Sequence, residues 1–277
     1  MVSIQSLLTR FFQKYPSANK RHLRVLLAAL MEKSLEFLMA HPEAKASQET
    51  AEKFEQKAEE LESKKPLSRI LGHREFWGMD FDLSSETLDP RPDSEILIES
   101  TLKHRPRKYD DLRILDLGTG TGCLIVSLLK EYPNASGMAV DQSNQALQTA
   151  LKNAETHKVV RRLKTHCGDW FKGIEDTFDI IISNPPYITD QDYESLDISV
   201  KDHDPKKALI AGSRGLDCYE KIIKEAPLFL KEGGILVLEI GQGQGLEIEK
   251  LLKTAGLEIF SIYQDLASID RCFVAQK

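Results

Sequence analysis

The sequence predicts an α/β fold in which a mainly parallel sheet is covered by helices on both of its faces. From about residue 110 onward, short apolar runs typical of strands alternate with segments of helical periodicity, which is the chain order of such a sheet. Residues 1–65 show helical periodicity alone, so a small helical bundle is expected to precede the sheet. Residues 66–92 predict a β-hairpin linker, which leaves residues 93–277 for the α/β domain.

Three helices are expected in the bundle. Apolar residues recur at helical spacing over residues 4–12 and again over residues 23–38. The third helix follows Ser47, a residue type that caps helix N-termini, and Pro16 and Pro42 separate the helices. Charged residues fill the other faces, so the apolar stripes are expected to pack against one another.

The linker combines a turn with a rigid segment. Residues 74–83 predict two short strands, because aromatic and apolar residues flank Gly78. The proline-containing segment DPRPD at 89–93 follows, and either Asp93 or Ser94 is expected to cap the next helix.

The α/β domain is predicted element by element. Strands are expected at 113–117, 136–140, 178–183 and 235–240, and helices at 123–131, 144–157, 216–230 and 246–255. Two further strands, at 257–263 and 271–275, have a short connection and are expected to pair antiparallel at an edge of the sheet.

Composition narrows the function classes. The 277 residues carry a net charge of −6, so a basic footprint for nucleic acid over the whole protein is absent. The four cysteines and seven histidines show no metal-ligand or redox spacing, so no metal is expected and the cysteines are interpreted as free thiols of the cytoplasm. No apolar run approaches the roughly 18 residues of a membrane span, and no signal peptide is predicted.

A glycine-rich loop is the first candidate binding site. It follows a strand, opens a helix and comprises Gly118, Thr119, Gly120, Thr121 and Gly122. Such a loop lets a ligand approach the backbone closely. The third glycine of a dinucleotide fingerprint is replaced by Cys123, which disfavours pyrophosphate, and the preceding Asp116 favours an amino group or a sulfonium.

Three side chains complete a candidate nucleoside site. Asp141 ends the next strand, about 20 residues after the loop, where a carboxylate accepts hydrogen bonds from ribose hydroxyls. Asp169 is a candidate acceptor for an adenine amino group, and Trp170 is a candidate stacking surface for the base. A nucleoside without phosphate but with a cationic tail describes S-adenosylmethionine. The alternative interpretation is structural: a tight turn, a helix cap and a core tryptophan.

The peptide Asn184-Pro185-Pro186-Tyr187 ends a buried strand and is the candidate catalytic and substrate-binding site. The Asn184 side-chain oxygen and the Pro185 carbonyl are two acceptors for the N–H groups of a weakly nucleophilic planar nitrogen. Their dipoles stabilise positive charge that develops on that nitrogen during methyl transfer. Pro185 and Pro186 fix the backbone, and Tyr187 supplies a flat face. The alternative is a proline-stiffened turn with a packed tyrosine.

At these residues the chain resembles the release factor glutamine methyltransferases, the PrmC or HemK family. The similar segments are PLSRILGHREF at 66–76, DPRPDSE at 89–95, LDLGTGTG at 115–122, NPPY at 184–187, DPKKALIAGSRGL at 204–216, LEIG at 238–241 and DLASIDR at 265–271. The glycine loop and NPPY occur in many amino-methyltransferases, whereas the DPRPDSE and GSRGL segments are more specific. Arg69 stands where the family often has an aromatic residue, and Asp93-Ser94 replaces a more usual Glu-Thr.

The resemblance implies a Rossmann-like, seven-stranded class I methyltransferase domain. It implies methylation of the N5 nitrogen of the glutamine in the GGQ motif of peptide-chain release factors. It also implies S-adenosylmethionine bound by residues 118–122, Asp141, Trp170 and Asn184, with residues 184–187 holding the glutamine amide. The N-terminal bundle and the hairpin are then expected to help to bind the release factor, and the protein is expected to be a monomer.

Three other functions remain open at the level of sequence. The same NPPY chemistry serves adenine-N6 methylation of a flipped base, although the acidic charge balance disfavours nucleic acid. A methyltransferase acting on a glutamine of a ribosomal protein is a second alternative. A non-catalytic binding module is a third, and cofactor binding without turnover would distinguish it.

Overall fold

The computed structural model describes residues 1–265 and 267–277, and these residues form two compact units, Met1–His73 and Arg74–Lys277. Leu266, which falls within the DLASIDR segment, lies outside the described residues. The first unit includes a short helix beyond residue 65, so its polypeptide extends into the segment that the sequence assigned to the linker.

The first unit is a helical bundle. Its helices are α1 Ile4–Lys14, α2 Lys20–Leu30, α3 Leu35–Ala40, α4 Gln48–Glu62 and α5 Leu67–Leu71, and its two short strands, β1 Val2–Ser3 and β2 Lys45–Ala46, pair antiparallel. The apolar stripes meet in one core that includes Leu26, Phe54 and Ile70, each at most 5% exposed. The predicted cap is confirmed, since the Ser47 hydroxyl accepts a hydrogen bond from the Thr50 amide at 3.0 Å.

The prediction of a single helix over residues 23–38 was wrong. Residues 23–38 form two helices, because the chain turns between α2 and α3. Glu32 adopts a left-handed φ of 53° there, and Ser34 caps α3 by accepting from the Phe37 amide at 3.2 Å. The apolar periodicity persists through the break, which is why the sequence pattern alone does not reveal it.

A hairpin that starts at His73, the last residue of the first unit, leads into the second unit, which continues as an alternation of strands and helices. Its strands are β3 His73–Phe76, β4 Met79–Asp82, β5 Arg113–Leu117, β6 Ser136–Asp141, β7 Leu163–Cys167, β8 Phe178–Ser183, β9 Leu230–Glu239, β10 Glu258–Gln264 and β11 Asp270–Gln276. Its helices are α6 Glu95–His104, α7 Cys123–Glu131, α8 Asn144–Thr156, α9 Asp190–Glu194, α10 Ile198–Lys201, α11 Asp217–Phe229 and α12 Gly245–Thr254. The hairpin turn is Trp77-Gly78, both at positive φ, as a two-residue turn between twisted strands requires.

Within the described residues the main sheet has seven strands in the order β10-β11-β9-β8-β5-β6-β7. The pairs from β9 to β7 are parallel, whereas β11 runs antiparallel to both β9 and β10. The predicted α/β class, the preceding helical region and the antiparallel edge pair are therefore confirmed.

Helices cover both faces of this sheet. Residues alternate along each strand, so Ile114 and Ile180 enter one core while Leu115 and Ile181 enter the other. These four side chains are fully buried. Burial on both faces explains why the strand sequences are continuous apolar runs. It also explains why the polar residues occur at the ends of the strands.

Among the described residues, none of the helices has the length and hydropathy that crossing a membrane requires. The same residues contain no group of three or more His, Cys, Asp or Glu side chains arranged to hold a metal ion.

Candidate active site

A cavity of about 500 Å³ opens at the carboxyl ends of β5, β6 and β8. This volume lies in the range of small-molecule sites, roughly 300–1,000 Å³. Predicted site residues that line it are Gly118, Thr119, Gly120, Thr121, Asp141, Trp170, Asn184 and Pro186. Gly122, Asp169, Pro185 and Tyr187 lie next to these residues in the chain but do not line the cavity. The fold thus brings the glycine loop and the NPPY peptide, far apart in sequence, to one site.

Hydrogen bonds from its own backbone hold the glycine loop against the next strand. The amides of Gly118 and Thr119 both donate to the Val140 carbonyl at 2.9 Å. The Gly120 amide donates to Asp141 Oδ2 at 2.9 Å, and the buried Asn153 donates to the Thr121 carbonyl at 2.9 Å. These four hydrogen bonds fix the conformation of the loop.

Asp141 is oriented by two amides. Oδ2 accepts from Gly120, and Oδ1 accepts from the Ser143 amide at 2.9 Å. Each carboxylate oxygen keeps a free lone-pair direction for a hydroxyl donor. Asp141 is not the cap of the following helix, since the Ser143 hydroxyl accepts from the Ala146 amide at 3.3 Å and caps α8.

Asp116 lies beneath the loop and is fully buried. Its Oδ2 accepts from the Thr119 hydroxyl at 2.6 Å, whereas Oδ1 has no hydrogen-bond partner among the described residues. Burial raises the pKa of Asp116 to about 7, and the hydrogen bond from Thr119 opposes this increase. A carboxyl group beside the loop favours a cationic ligand over an anionic one.

Trp170 and Asp169 have different surroundings. The Trp170 ring packs along the loop, because a Cβ placed on Gly118 would lie 3.6 Å from it. Asp169 is exposed and accepts hydrogen bonds from Gln142 at 2.8 Å and from Lys221 at 3.5 Å. The predicted contact of Asp169 with an adenine amino group stays a prediction.

Asn184 lies at the end of β8, partly buried at the cavity wall. Its Nδ2 donates to the Ser94 hydroxyl at 2.9 Å, and that hydroxyl donates to Glu239 Oε2 at 2.5 Å. The Asn184 nitrogen therefore points into the protein. Its Oδ1 is left as the acceptor for a ligand.

The prediction that Asp93 or Ser94 caps the following helix was wrong. Ser94 precedes α6, but its side chain makes no capping hydrogen bond, and neither does Asp93. The turn at Pro92–Ser94 gives Ser94 a φ of −70° and a ψ of −13°, whereas a capping side chain needs an extended backbone. The hydroxyl reaches Asn184 and Glu239 instead.

The remaining NPPY residues are held by close packing. Pro185 is buried and Pro186 faces the cavity. The Tyr187 carbonyl accepts from Gln244 at 3.1 Å, and a Cβ on Gly215 would lie only 2.3 Å from that carbonyl oxygen. Burial raises the pKa of Tyr187 to about 12, so its hydroxyl stays protonated near neutral pH.

The sequence analysis assigned no role in ligand binding to several residues that line the cavity. The wall also contains Arg91, Ser94, Pro205, Lys207, Ile210 and Lys221. Arg91 and Asp204 form an ion pair at 2.6 Å that joins the DPRPDSE and DPKKAL segments. Both segments are among those that support the family resemblance, and this was the signal in the sequence that could have pointed to them. Only the fold shows that both segments border the cavity.

Two family models match the chain. The model described as "PrmC N-terminal domain" matches residues 5–72, and the one described as "Methyltransferase small domain" matches residues 83–200.

Curated relatives match along almost the whole chain. A release factor glutamine methyltransferase of Rhodospirillum rubrum is 38% identical over 258 residues, which cover 93% of this chain and 79% of the relative. Its counterpart in Agrobacterium fabrum is 40% identical over 251 residues, which cover 90% of this chain and 87% of the relative.

Solved structures share the architecture at lower identity. A methyltransferase from Pyrococcus furiosus aligns with a TM-score of 0.53 at 20% identity, over 73% of this chain and 90% of its own. The catalytic domain of hMettl16, solved with an RNA hairpin, aligns with a TM-score of 0.60 at 17% identity, over 90% of this chain and 91% of its own. At such identities the likeness shows a common fold.

Proposed function

The chain belongs to the release factor glutamine methyltransferase family, and we propose that it methylates the N5 amide nitrogen of the glutamine in the GGQ motif of peptide-chain release factors. The methyl donor is S-adenosylmethionine, and the resemblance drawn from the sequence is confirmed by the relatives. The observation that carries the proposal is the orientation of Asn184. It presents a side-chain oxygen at the cavity wall because its nitrogen is bonded inward to Ser94.

The residues of the cavity suit the cofactor. S-adenosylmethionine supplies an electrophilic methyl group on a sulfonium. Asp141 offers both carboxylate oxygens to ribose hydroxyls, and the buried Asp116 lowers the energy of a nearby cationic group. Trp170 offers a ring face beside Gly118 for the base, and Asp169 is proposed to accept from the adenine amino group.

The substrate amide needs help because its lone pair is delocalised. Asn184 Oδ1 and the Pro185 carbonyl are proposed to accept the two N–H groups, which aims the nitrogen at the methyl group. Both dipoles would stabilise positive charge on nitrogen as the new N–C bond forms and the S–CH3 bond of the sulfonium breaks, with S-adenosylhomocysteine as the leaving group. The proton that the nitrogen then loses passes to water, so no strong base is required.

Pro186 and Tyr187 are proposed to shape the substrate pocket. Pro186 faces the cavity, and the rigid Pro-Pro unit limits the motion of Asn184. The Tyr187 carbonyl accepts a hydrogen bond from Gln244, which fixes the backbone at this residue, and the Tyr187 ring is proposed to lie beside the plane of the substrate amide.

The partner and setting are proposed together. The unit Met1–His73 is proposed to contribute binding surface for the release factor, and the enzyme is proposed to act as a cytoplasmic monomer without a membrane or nucleic-acid partner. The net charge of −6 supports the last point, since nucleic-acid binding relies on neutralising phosphates.

Methylation of three candidate substrates, each in a separate reaction, tests this proposal. The protein is incubated with isotope-labelled S-adenosylmethionine and a release factor, a ribosomal protein extract or DNA, and mass spectrometry locates the label. We expect one methyl group on N5 of the GGQ glutamine. Label in DNA or in a ribosomal protein, with none in the release factor, would refute the proposal.

A further inference from the structure

The carboxyl group of Glu239 lies next to the reactive peptide and has no role in the chemistry described so far. It ends β9 and is 2% exposed. Its Oε2 accepts from Ser94, and Ser94 accepts from Asn184, which gives a continuous chain of three side chains. The Tyr219 hydroxyl donates to the Glu239 backbone carbonyl at 3.0 Å, which anchors the strand end.

The donor and acceptor roles in this series of hydrogen bonds follow from the negative charge of the Glu239 carboxylate. An ionised carboxylate only accepts hydrogen bonds, so the Ser94 hydroxyl has to donate to it. The Ser94 oxygen is then left to accept, and it accepts from Asn184 Nδ2. Asn184 also lowers the pKa of Glu239, so the two side chains are coupled as well as linked through Ser94.

The direction matters because the two ends of an amide have nearly the same shape. Nothing in the packing of an asparagine distinguishes oxygen from nitrogen, so its hydrogen bonds decide which faces the ligand. A reversed Asn184 would present N–H donors to the N–H groups of the substrate. The acceptor that the methylation needs would then be lost.

We propose that Glu239, acting through Ser94, is a positioning residue that holds the Asn184 side-chain oxygen toward the substrate nitrogen. The inference rests on the proposed function, and it concerns how the substrate nitrogen is held and oriented. It gives Ser94 and Glu239 one common task.

The ionisation of Glu239 is part of this device. Burial raises its pKa to about 7, while hydrogen bonds from Ser94 and Asn184 and the charge of Arg271 on β11 lower it. Asp93 raises it further. The other titratable groups that face the carboxylate are Tyr187, Tyr219, Cys123 and Cys272. A protonated Glu239 can donate to Ser94, which lets Ser94 donate to Asn184 and reverses the amide.

The first experiment compares Ser94→Thr with Ser94→Val, two side chains of matched shape that differ in the hydroxyl. Turnover of intact release factor is measured together with KM and with cofactor affinity by calorimetry. We expect Ser94→Val to lower kcat at least about tenfold relative to Ser94→Thr, with similar cofactor affinity, because Asn184 and Glu239 lose their shared partner. Equal kcat in the two variants would overturn the proposal.

The second experiment uses Glu239→Gln, whose amide can donate to Ser94 at any pH. In the wild type kcat should fall as pH decreases through about 7, and in the variant this acid limb should be absent while kcat stays low. A purely structural role would lower stability and leave the shape of the pH profile unchanged. A wild-type acid limb in the variant would overturn the proposal.

A substrate analogue reports the amide orientation directly. A release factor in which the GGQ glutamine is replaced by glutamate presents a carboxylate that an acceptor repels and an N–H donor attracts. In Glu239→Gln this analogue should bind more tightly, so its inhibition constant relative to the KM of the unmodified factor should decrease. An unchanged ratio would count against reversal of the Asn184 amide. If the wild-type enzyme itself leaves the release factor unmethylated, the proposed function fails and the inference fails with it, whereas normal wild-type activity isolates the inference.

Discussion

At the scale of single residues, the site depends on a few polar atoms placed at the ends of buried strands. Asn184 follows Ser183, which is fully buried and donates to the Leu117 carbonyl at 2.7 Å. The residue that precedes Asn184 is thus hydrogen-bonded to β5, the strand that leads into the glycine loop. Asn184 and the glycine loop, the proposed acceptor and the proposed cofactor loop, are therefore joined through neighbouring strands.

Replacing Asn184 by alanine should abolish most methyl transfer while the fold remains. We expect kcat to fall by about 100-fold or more, because one of two preorganised dipoles is removed from the reacting nitrogen. Asn134→Ala is the matched control, since Asn134 is exposed and bonds only to the Tyr109 carbonyl. Rates on release factor and thermal unfolding are measured for both variants. Full activity in Asn184→Ala would refute the mechanism.

Glu239 also predicts how stability depends on pH. Its pKa is raised from 4.5 to about 7 by burial, so the folded state favours the protonated carboxyl. The stabilisation is complete below the unfolded value and is lost as pH rises through the folded value. Relative to Glu239→Gln, the wild type should therefore lose free energy of unfolding between about pH 5 and about pH 8, on the order of 1–3 kcal/mol.

Denaturant titrations of both proteins without cofactor, at several pH values, measure this difference. Any constant effect of the substitution cancels, because only the change with pH is compared. A difference between the two proteins that is the same at every pH would contradict the raised pKa.

At the scale of elements, the glycine loop joins β5 to α7 and packs α7 against α8. Gly122 has a φ of +78°, and a Cβ there would lie 2.9 Å from the Ala150 Cβ on α8. Gly120 has a φ of +53°, but a Cβ there would meet nothing within 4 Å. One glycine thus permits helix contact, and the other leaves space for a ligand.

Gly122→Ala should therefore destabilise the fold more than Gly120→Ala. Both variants incur left-handed backbone strain of about 1–2 kcal/mol. Only Gly122→Ala adds overpacking against α8, by about 1–3 kcal/mol. Urea unfolding measures both, and adding Ala150→Gly to Gly122→Ala should recover part of the loss, which shows the coupling. Equal destabilisation by the two single substitutions would argue against the contact.

At the scale of the whole molecule, the two compact units are expected to divide the work. All residues named in the site belong to Arg74–Lys277, which also contains the complete seven-stranded sheet of the described residues. The unit Met1–His73 has a separate apolar core. Its proposed task is to bind the protein substrate.

A variant without residues 1–72, which keeps all of β3, tests this division. Cofactor affinity should be retained, because the cavity residues remain. The kcat/KM on intact release factor should fall by about tenfold or more, whereas the rate on a short GGQ peptide should change little, since the peptide offers no surface outside the site. Equal loss on both substrates would contradict a binding role for the first unit.

Much of this organisation was available from local patterns. The helix Cys123–Glu131 and the strand Phe178–Ser183 have the predicted bounds, because their apolar periodicity is a local property of the chain. The resemblance implied one site for the glycine loop and Asn184, and both line the same cavity, since the carboxyl ends of parallel strands meet at one edge of a sheet.

The sequence by itself thus determined the α/β class, the family and the residue types of the chemistry. Tertiary structure alone decided the partners of those residues. Ser94 and Asn184 are 90 positions apart and Ser94 and Glu239 are 145 apart, so no local pattern connects them. The residue type of Ser94 and its position before a predicted helix indicated a helix cap. Only the fold shows that the Ser94 hydroxyl lies at the candidate site, because hydrogen bonds between distant segments depend on three-dimensional position.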